Sequence, residues 1–126
     1  MMPAETTAQG ISPSDAVIGQ FFYVITHEMG HAVFDMLDIP VLGRQEDAAD
    51  QFATYIMLQF GKDQARRLIT GAAYSYRRFL TQPKVTAPLA AFSGAHSPPA
   101  ARFYNMLCLA YGADSDLFAD FVTNEY

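Results

Sequence analysis

The pentapeptide HEMGH at residues 27–31 constrains the fold of this chain more than any other feature of its sequence. It lies within residues 13–38, where apolar side chains recur every three or four positions, a spacing that predicts a long α-helix. On such a helix His27 and His31 lie one turn apart on the same face, so both imidazoles can reach one zinc ion. Glu28 stands beside them, offset in a way that suits a general base acting on a metal-activated water.

Further helices are predicted from their start and stop signals. Ser12 with Pro13, and again Ser97 with Pro98, give the order of cap and proline that begins a helix. No stretch alternates apolar and polar residues as a half-buried strand does. The fold class is therefore predicted to be mostly α, a compact domain of about five helices with little or no β-sheet. We expect helices at about 13–38, 45–60, 62–80, 98–111 and 115–122, and a loop at 83–96 that is partly extended at 84–86.

The domain organisation follows from length and composition. The chain has 126 residues, which is the size of one domain. Residues 1–11 are small, polar and aperiodic, so we expect a flexible tail there and a single domain over residues 12–126. Because the helix at 13–38 is apolar nearly all round, we expect it to be central and buried.

Charge and cysteine content exclude several classes of protein. The net charge is -5 and basic residues are not clustered beyond two Arg-Arg pairs, so nucleic acid is not an expected partner. The single cysteine, Cys108, excludes a disulfide framework, and its apolar surroundings predict a buried thiol. No apolar run is long enough for a membrane span, and the first ten residues show no export signal, so a cytoplasmic location is the default expectation.

A catalytic zinc commonly has three protein ligands, so a third must come from outside HEMGH. The best candidate is Glu46, because it is in register with the apolar residues of the helix predicted at 45–60 and so faces inward. Asp50, one turn further on, is placed to accept a hydrogen bond from the outward nitrogen of a ligand histidine. Asp47 is the competing ligand, but it points about 100° away from Glu46.

Each of these residues also has a plainer interpretation. His27 and His31 could be core histidines that are hydrogen-bonded to their neighbours, with Glu28 in an ion pair. Glu46 and Asp50 could form a solvated first turn that the helix dipole stabilises. The presence of both motifs in one chain favours the metal site over these alternatives.

Two residues near the start of the fourth helix are candidates for contact with the transition state. His96 could stabilise the oxyanion of a tetrahedral intermediate, and Arg102 could do the same or bind a substrate carboxylate through two hydrogen bonds. The alternatives are that His96 is a surface loop residue and that Arg102 pairs with an acidic side chain. Tyr104 and Tyr111 of the same helix are expected to pack in the core.

The segments that carry these residues resemble those of known zinc peptidases. HEMGH followed by EDAAD is similar to the gluzincin type, in which the glutamate of an ExxxD segment is the third zinc ligand. THEMGHAVFDMLDIPVLGRQEDAADQFATYIML and HSPPAARFYNMLCLAYGAD resemble segments of a bacterial family of inferred metallopeptidases with unknown substrates, over roughly residues 12–122. The resemblance implies a zincin-like domain with Zn2+ as its cofactor. It also implies His27, His31 and Glu46 as the ligands and Glu28 as the catalytic base.

Two functions are compatible with these observations. The first is a zinc-dependent metallopeptidase that hydrolyses a peptide or protein substrate through a metal-activated water, with Glu28 as general base. The second is a non-catalytic, metal-stabilised helical module that binds or regulates a partner. The absence of a predicted sheet favours the second, because peptidases of this type usually hold substrate against a sheet edge. An enzyme without that sheet is either a minimal metallopeptidase domain or one in which residues 83–96 bind the substrate.

Overall fold

The computed structural model of this protein describes residues 10–81 and 93–123, and its regular elements in these ranges are all α-helices. No strand occurs in these two ranges, so the mostly-α prediction is confirmed. None of the helices in these ranges is long and apolar enough to cross a membrane. Most of the predicted tail and all of the extended stretch at 84–86 lie outside the described residues. The helices are α1 (Pro13–Met36), α2 (Gln45–Leu58), α3 (Lys62–Leu80), α4 (Pro99–Ala113) and α5 (Asp120–Thr123).

Local hydrogen bonds fix both ends of α1. The side chain of Ser12 accepts a hydrogen bond from the backbone N–H of Asp15 at 3.1 Å, so the predicted cap is present. At the other end Asp38 adopts a φ of 50°, and the N–H of Ile39 donates to the carbonyl of Phe34 at 2.9 Å. This backbone pattern closes the last turn of a helix. Both histidines of the motif therefore lie within the regular part of α1.

Glycines let α1 and α3 pack backbone against backbone. A Cβ atom at Gly71 of α3 would lie 2.0 Å from the carbonyl oxygen of Asp15. A Cβ atom at Gly19 of α1 would lie 2.6 Å from the carbonyl oxygen of Leu68. No larger residue fits at either position without moving the helices apart.

Small residues also bring α1 close to α2, beside the HEMGH motif. A Cβ atom at Gly30 would lie 3.3 Å from the Cα of Ala49 and 3.1 Å from the ring of Phe52. Ala49 and Ala53 are fully buried at this contact. This close approach places the histidine face of α1 against the first turn of α2, where Glu46 lies.

The hydrophobic core lies on one side of α1 only. The prediction that this helix is buried all round is wrong, because Phe21 is 66% exposed and Met29 is 52% exposed. The half of α1 that faces α2 and α3 carries small residues such as Gly19 and Gly30, which leaves several large apolar residues on the other half. The largest buried side chains of the core are those of Tyr23, Met57, Ile69, Phe103 and Phe118.

One narrow stripe of α4 is buried, and three residues beside it are exposed. Tyr104, Cys108 and Tyr111 each follow a member of this stripe by one position, which is about 100° around the helix. All three are exposed, so the predictions of a buried thiol and of two core tyrosines are wrong. The buried stripe consists of Phe103, Met106, Leu107 and Ala110.

The ends of α4 and α5 differ from prediction. Ser97 does not cap α4, which has no side-chain cap, and its hydroxyl instead accepts a hydrogen bond from Arg44 at 2.8 Å. A single turn of helix forms at α5, rather than the whole of the predicted 115–122. Arg66 of α3 holds that turn through two hydrogen bonds to the carboxylate of Asp120.

Candidate metal centre

Three side chains converge between α1 and the first turn of α2. Nε2 of His27 lies 3.2 Å from Nε2 of His31. Oε2 of Glu46 lies 3.1 Å from Nε2 of His27, and its Oε1 lies 3.4 Å from Nε2 of His31. His27 is buried and the other two are half-buried. These are the three residues predicted to hold a metal, and the competing ligand Asp47 is not part of the group.

The ring of His27 is oriented from behind by Asp50. Nδ1 of His27 lies 2.8 Å from Oδ1 of Asp50, which is the predicted contact. A carboxylate can only accept, so Nδ1 carries the hydrogen of this bond. In its neutral form His27 therefore presents the lone pair of Nε2 to the centre.

The ring of His31 has a corresponding partner that the sequence did not reveal. Nδ1 of His31 lies 3.1 Å from Oε1 of Gln45, the first residue of α2. When Nδ1 donates to this oxygen, Nε2 of His31 is also left with its lone pair facing the centre. Each histidine is thus fixed in the same orientation by a different residue of α2.

The donor set fits a divalent transition metal. When both histidines are neutral, their Nε2 atoms and the carboxylate of Glu46 present lone pairs to one another, because each Nδ1 is engaged elsewhere. Acceptors that face one another without a shared hydrogen repel, and a cation between them removes that repulsion. Zinc bonds of 2.0–2.1 Å in a tetrahedron place neighbouring ligand atoms about 3.3 Å apart. The two Nε2 atoms, 3.2 Å apart, match that spacing, and each lies 3.1 to 3.4 Å from one oxygen of the Glu46 carboxylate, Oε2 for His27 and Oε1 for His31.

Asp50 links the metal centre to the core through residues of four helices. Arg102 of α4 donates two hydrogen bonds to its carboxylate, both at 2.6 Å. Tyr23 of α1 donates a third, and Tyr76 of α3 donates to the hydroxyl of Tyr23 at 3.3 Å. Burial alone would raise the pKa of Asp50, but the hydrogen bonds from His27 and Arg102 outweigh it and lower the pKa to about 2. Asp50 is therefore ionised at neutral pH.

The contacts of Arg102 correspond to the plainer of its two interpretations, since it pairs with an acidic side chain. Its guanidinium also lies over the ring of Tyr76, 5.4 Å from the ring centroid. Neither tyrosine of this network was singled out by the sequence. The one available signal was the position of Tyr23, four residues before His27 and so one helical turn away on the same side.

His96 lies beside Glu46 but outside the group of three. Its Nε2 atom is 2.9 Å from Oε2 of Glu46, and its side chain is 58% exposed. The next residue, Ser97, is held by Arg44, the residue that immediately precedes α2. His96 is therefore a surface loop residue that nevertheless contacts a candidate ligand.

A cavity of about 340 Å³ opens beside the centre, between α1 and the start of α4. Its lining includes the three residues that sequence reasoning proposed for catalysis, Glu28, His96 and Arg102, together with His27. The side chain of Glu28 is exposed, so water in the cavity can reach it. A carboxylate placed in this way can exchange protons with that water.

One family model matches nearly the whole chain. The family is DUF4344, described as "Putative metallopeptidase", and the match covers residues 2–126. It therefore includes all five helices and every residue of the candidate centre. No curated protein and no solved structure matches the chain.

Proposed function

The chain belongs to the family described as "Putative metallopeptidase", and on that premise we propose that it is a zinc-dependent peptidase. His27, His31 and Glu46 hold the zinc ion in this proposal. The observation that carries it is the meeting of two Nε2 atoms and one carboxylate at 3.1 to 3.4 Å, with both Nδ1 atoms engaged elsewhere. A structural ion pair would not need two histidines with their lone pairs turned towards the same carboxylate.

The roles of the surrounding residues follow from their positions. A bound divalent zinc polarises the scissile carbonyl and lowers the pKa of water towards neutrality. Glu28 accepts a proton from the attacking water and delivers it to the nitrogen of the departing amine. Asp50 and Gln45 keep the two histidine rings in the orientation that presents Nε2.

His96 and Arg102 take different roles in this proposal. His96 lines the cavity beside Glu28 and is exposed, so it can donate a hydrogen bond to the oxygen of the developing tetrahedral intermediate. Arg102 uses Nε and Nη2 on Asp50 and acts through it, as a residue that positions His27.

The non-catalytic module remains the second candidate, and one observation favours it. The described residues contain no strand, and a sheet edge is the usual surface on which an extended peptide binds. In this case the same three ligands would bind zinc for stability alone.

Replacement of Glu28 by Gln separates the two candidates. The Glu28→Gln variant should bind zinc as the wild type does, because Glu28 is not in the ligand group, yet it should lose hydrolysis of a quenched-fluorescent peptide library. Asp35→Asn is the matched control, since Asp35 is an exposed carboxylate two turns further along α1.

Two outcomes would contradict the peptidase. One is cleavage by Glu28→Gln at the wild-type rate. The other is zinc-loaded wild-type protein that cleaves no member of the library, which would leave the non-catalytic module as the function.

A further inference from the structure

We propose that the cavity beside Glu28 binds a lysine or arginine side chain of the substrate, with Gln20 at its far end. This inference rests on the proposed peptidase function and names its substrate class. Three features support it: the extent of the cavity along α1, the polar groups that line it, and a buried oxygen atom without a hydrogen-bond partner among the described residues.

The cavity follows α1 from the metal centre towards the start of the helix. His27, Val24 and Gln20 line it in that order along the chain. Gln20 precedes His27 by seven residues, which places it about 10 Å further along the helix axis. At about 340 Å³ the cavity is near the lower end of the range for ligand sites, so it suits one long side chain rather than a folded partner.

The polar groups that line the cavity differ in whether their hydrogen bonds are already made within the protein. The guanidinium of Arg102 already donates to Asp50, and Nε2 of His96 already lies beside the carboxylate of Glu46. The hydroxyls of Tyr23 and Tyr76 already donate, the first to Asp50 and the second to Tyr23. The cavity therefore offers hydrogen-bond acceptors to a ligand more readily than donors.

Gln20 carries a buried acceptor that lacks a donor within the described part of the chain. Its Oε1 atom is buried and has no hydrogen-bond partner among the described residues. Buried side-chain oxygens are normally hydrogen-bonded, so an unpaired one beside a cavity indicates a missing donor. Because Gln20 lines the cavity, rotation of its amide would turn this oxygen towards a ligand group there.

Lysine and arginine match this arrangement better than other side chains do. Their long stems are apolar and can pack on Val24, Pro99 and the rings of the two tyrosines, while their heads carry only donors. Gln20 lies eight residues before Glu28, about 12 Å along the helix axis. A cation held at Gln20 therefore lies too far from Glu28 to pair with it.

The test uses matched peptides that differ at one position beside the scissile bond. Lysine, arginine, norleucine or glutamate is placed at each flanking position in turn, and norleucine keeps the lysine stem without its ammonium group. At one position we expect kcat/KM for lysine or arginine to exceed that for norleucine by about tenfold or more, with glutamate cleaved least. Gln20→Leu should bring the ratio of lysine to norleucine close to one, and Gln20→Glu should raise it above the wild-type ratio.

Gln51→Leu is the matched control, because Gln51 is an exposed glutamine on α2 and lies outside this cavity. It should keep the wild-type ratio. Thermal unfolding and zinc content of each variant show that the changes in ratio do not come from misfolding.

A binding experiment separates failure of the pocket from failure of the peptidase. Labelled lysine and norleucine peptides are titrated by fluorescence anisotropy into the zinc-loaded Glu28→Gln protein, which needs no hydrolysis. The pocket is supported, even if no peptide is cleaved, when the lysine peptide binds more tightly than the norleucine peptide and Gln20→Leu removes this difference. Two results would overturn the pocket while leaving the peptidase intact. One is that lysine and norleucine peptides have equal Kd and equal kcat/KM at every position. The other is that Gln20→Leu changes neither their Kd nor their kcat/KM.

Discussion

His27 and Asp50 are joined by a hydrogen bond of 2.8 Å between Nδ1 and Oδ1, and this contact ties the metal centre to the fold. The same carboxylate accepts two hydrogen bonds from Arg102, and Tyr23 donates to it from within the core. A candidate ligand histidine is thereby held by a buried ion pair rather than by a surface residue. Changes to the network around Asp50 should therefore affect both stability and metal binding.

Asp50→Asn should destabilise the metal-free protein strongly. It leaves the guanidinium of Arg102 half-buried and without a counter-charge, and breaking one partner of such a pair costs about 3–5 kcal/mol. The measurement is the free energy of unfolding in urea. The double variant Asp50→Asn/Arg102→Met should recover part of the loss, because it removes the uncompensated charge. Strictly additive effects of the two substitutions would contradict the coupling.

Gln45→Ala should weaken zinc binding with little effect on stability. Gln45 holds the ring of His31 in place, and removal of such a supporting group typically lowers metal affinity about 10–100-fold. Because Gln45 is exposed at the start of α2, its removal should change the free energy of unfolding by only about 0.5 kcal/mol. Competition with a chromophoric chelator measures the affinity, and the exposed Gln51→Ala is the control. Equal zinc affinities of wild type and Gln45→Ala would remove Gln45 from this role.

Gly71→Ala should destabilise the packing of α1 on α3. The added Cβ would lie 2.0 Å from the carbonyl oxygen of Asp15, so the helices must separate, at a cost of about 1–3 kcal/mol. Gly112→Ala is the matched control, because nothing lies within 4 Å of a Cβ at that helical position. There alanine should be neutral or stabilise the helix by about 0.5–1 kcal/mol. Urea unfolding compares the two, and a stable Gly71→Ala protein would show that this close contact is not required.

The ion pair of Arg66 with Asp120 should contribute to acid sensitivity. The hydrogen bond from Arg66 lowers the pKa of Asp120 below its ordinary value in the folded protein. The pair therefore stabilises the protein fully above the ordinary aspartate pKa of about 3.9, and this stabilisation is lost as the pH falls through the lowered value. When the pH is lowered below about 4, the free energy of unfolding should decrease less for Asp120→Asn than for the wild type. Asp116→Asn removes the same charge from an exposed neighbour and should retain the wild-type slope.

The three candidate ligands could be predicted because each is fixed by helical register. HEMGH places His27 and His31 one turn apart whatever the rest of the fold does. Glu46 stands in phase with Ala49 and Ala53, both of which are fully buried, so its inward direction was readable from α2 alone. Asp50 followed from the same register.

The supporting residues could not be predicted because their roles depend on how helices meet. Gln45 is one position from Glu46 and would be interpreted as a solvent-facing residue. Only the crossing of α1 over the first turn of α2 brings its amide to His31. Gln20 and Tyr23 likewise lie on a largely apolar helix. Their polar atoms line a cavity that exists only because α4 packs beside α1, so their roles could not be predicted from α1 alone.

The burial of α1 was misjudged for a physical reason. Apolar residues occur all round this helix, and apolar content alone does not say which half is packed. The informative signal was the position of Gly19 and Gly30, because small residues permit close helix contact. Their half of α1 is packed against α2 and α3, and Phe21 on the other half is exposed.

The zinc content of the purified protein tests the central claim most directly. After zinc reconstitution and desalting, mass spectrometry of the metal should find one zinc ion per chain in the wild type. His27→Ala and His31→Ala should each lose most of it, whereas His96→Ala should retain it, because His96 contacts Glu46 from outside the ligand group. Two results would contradict the assignment of this centre. One is wild-type protein without bound zinc, and the other is one zinc ion per chain in the double variant His27→Ala/His31→Ala.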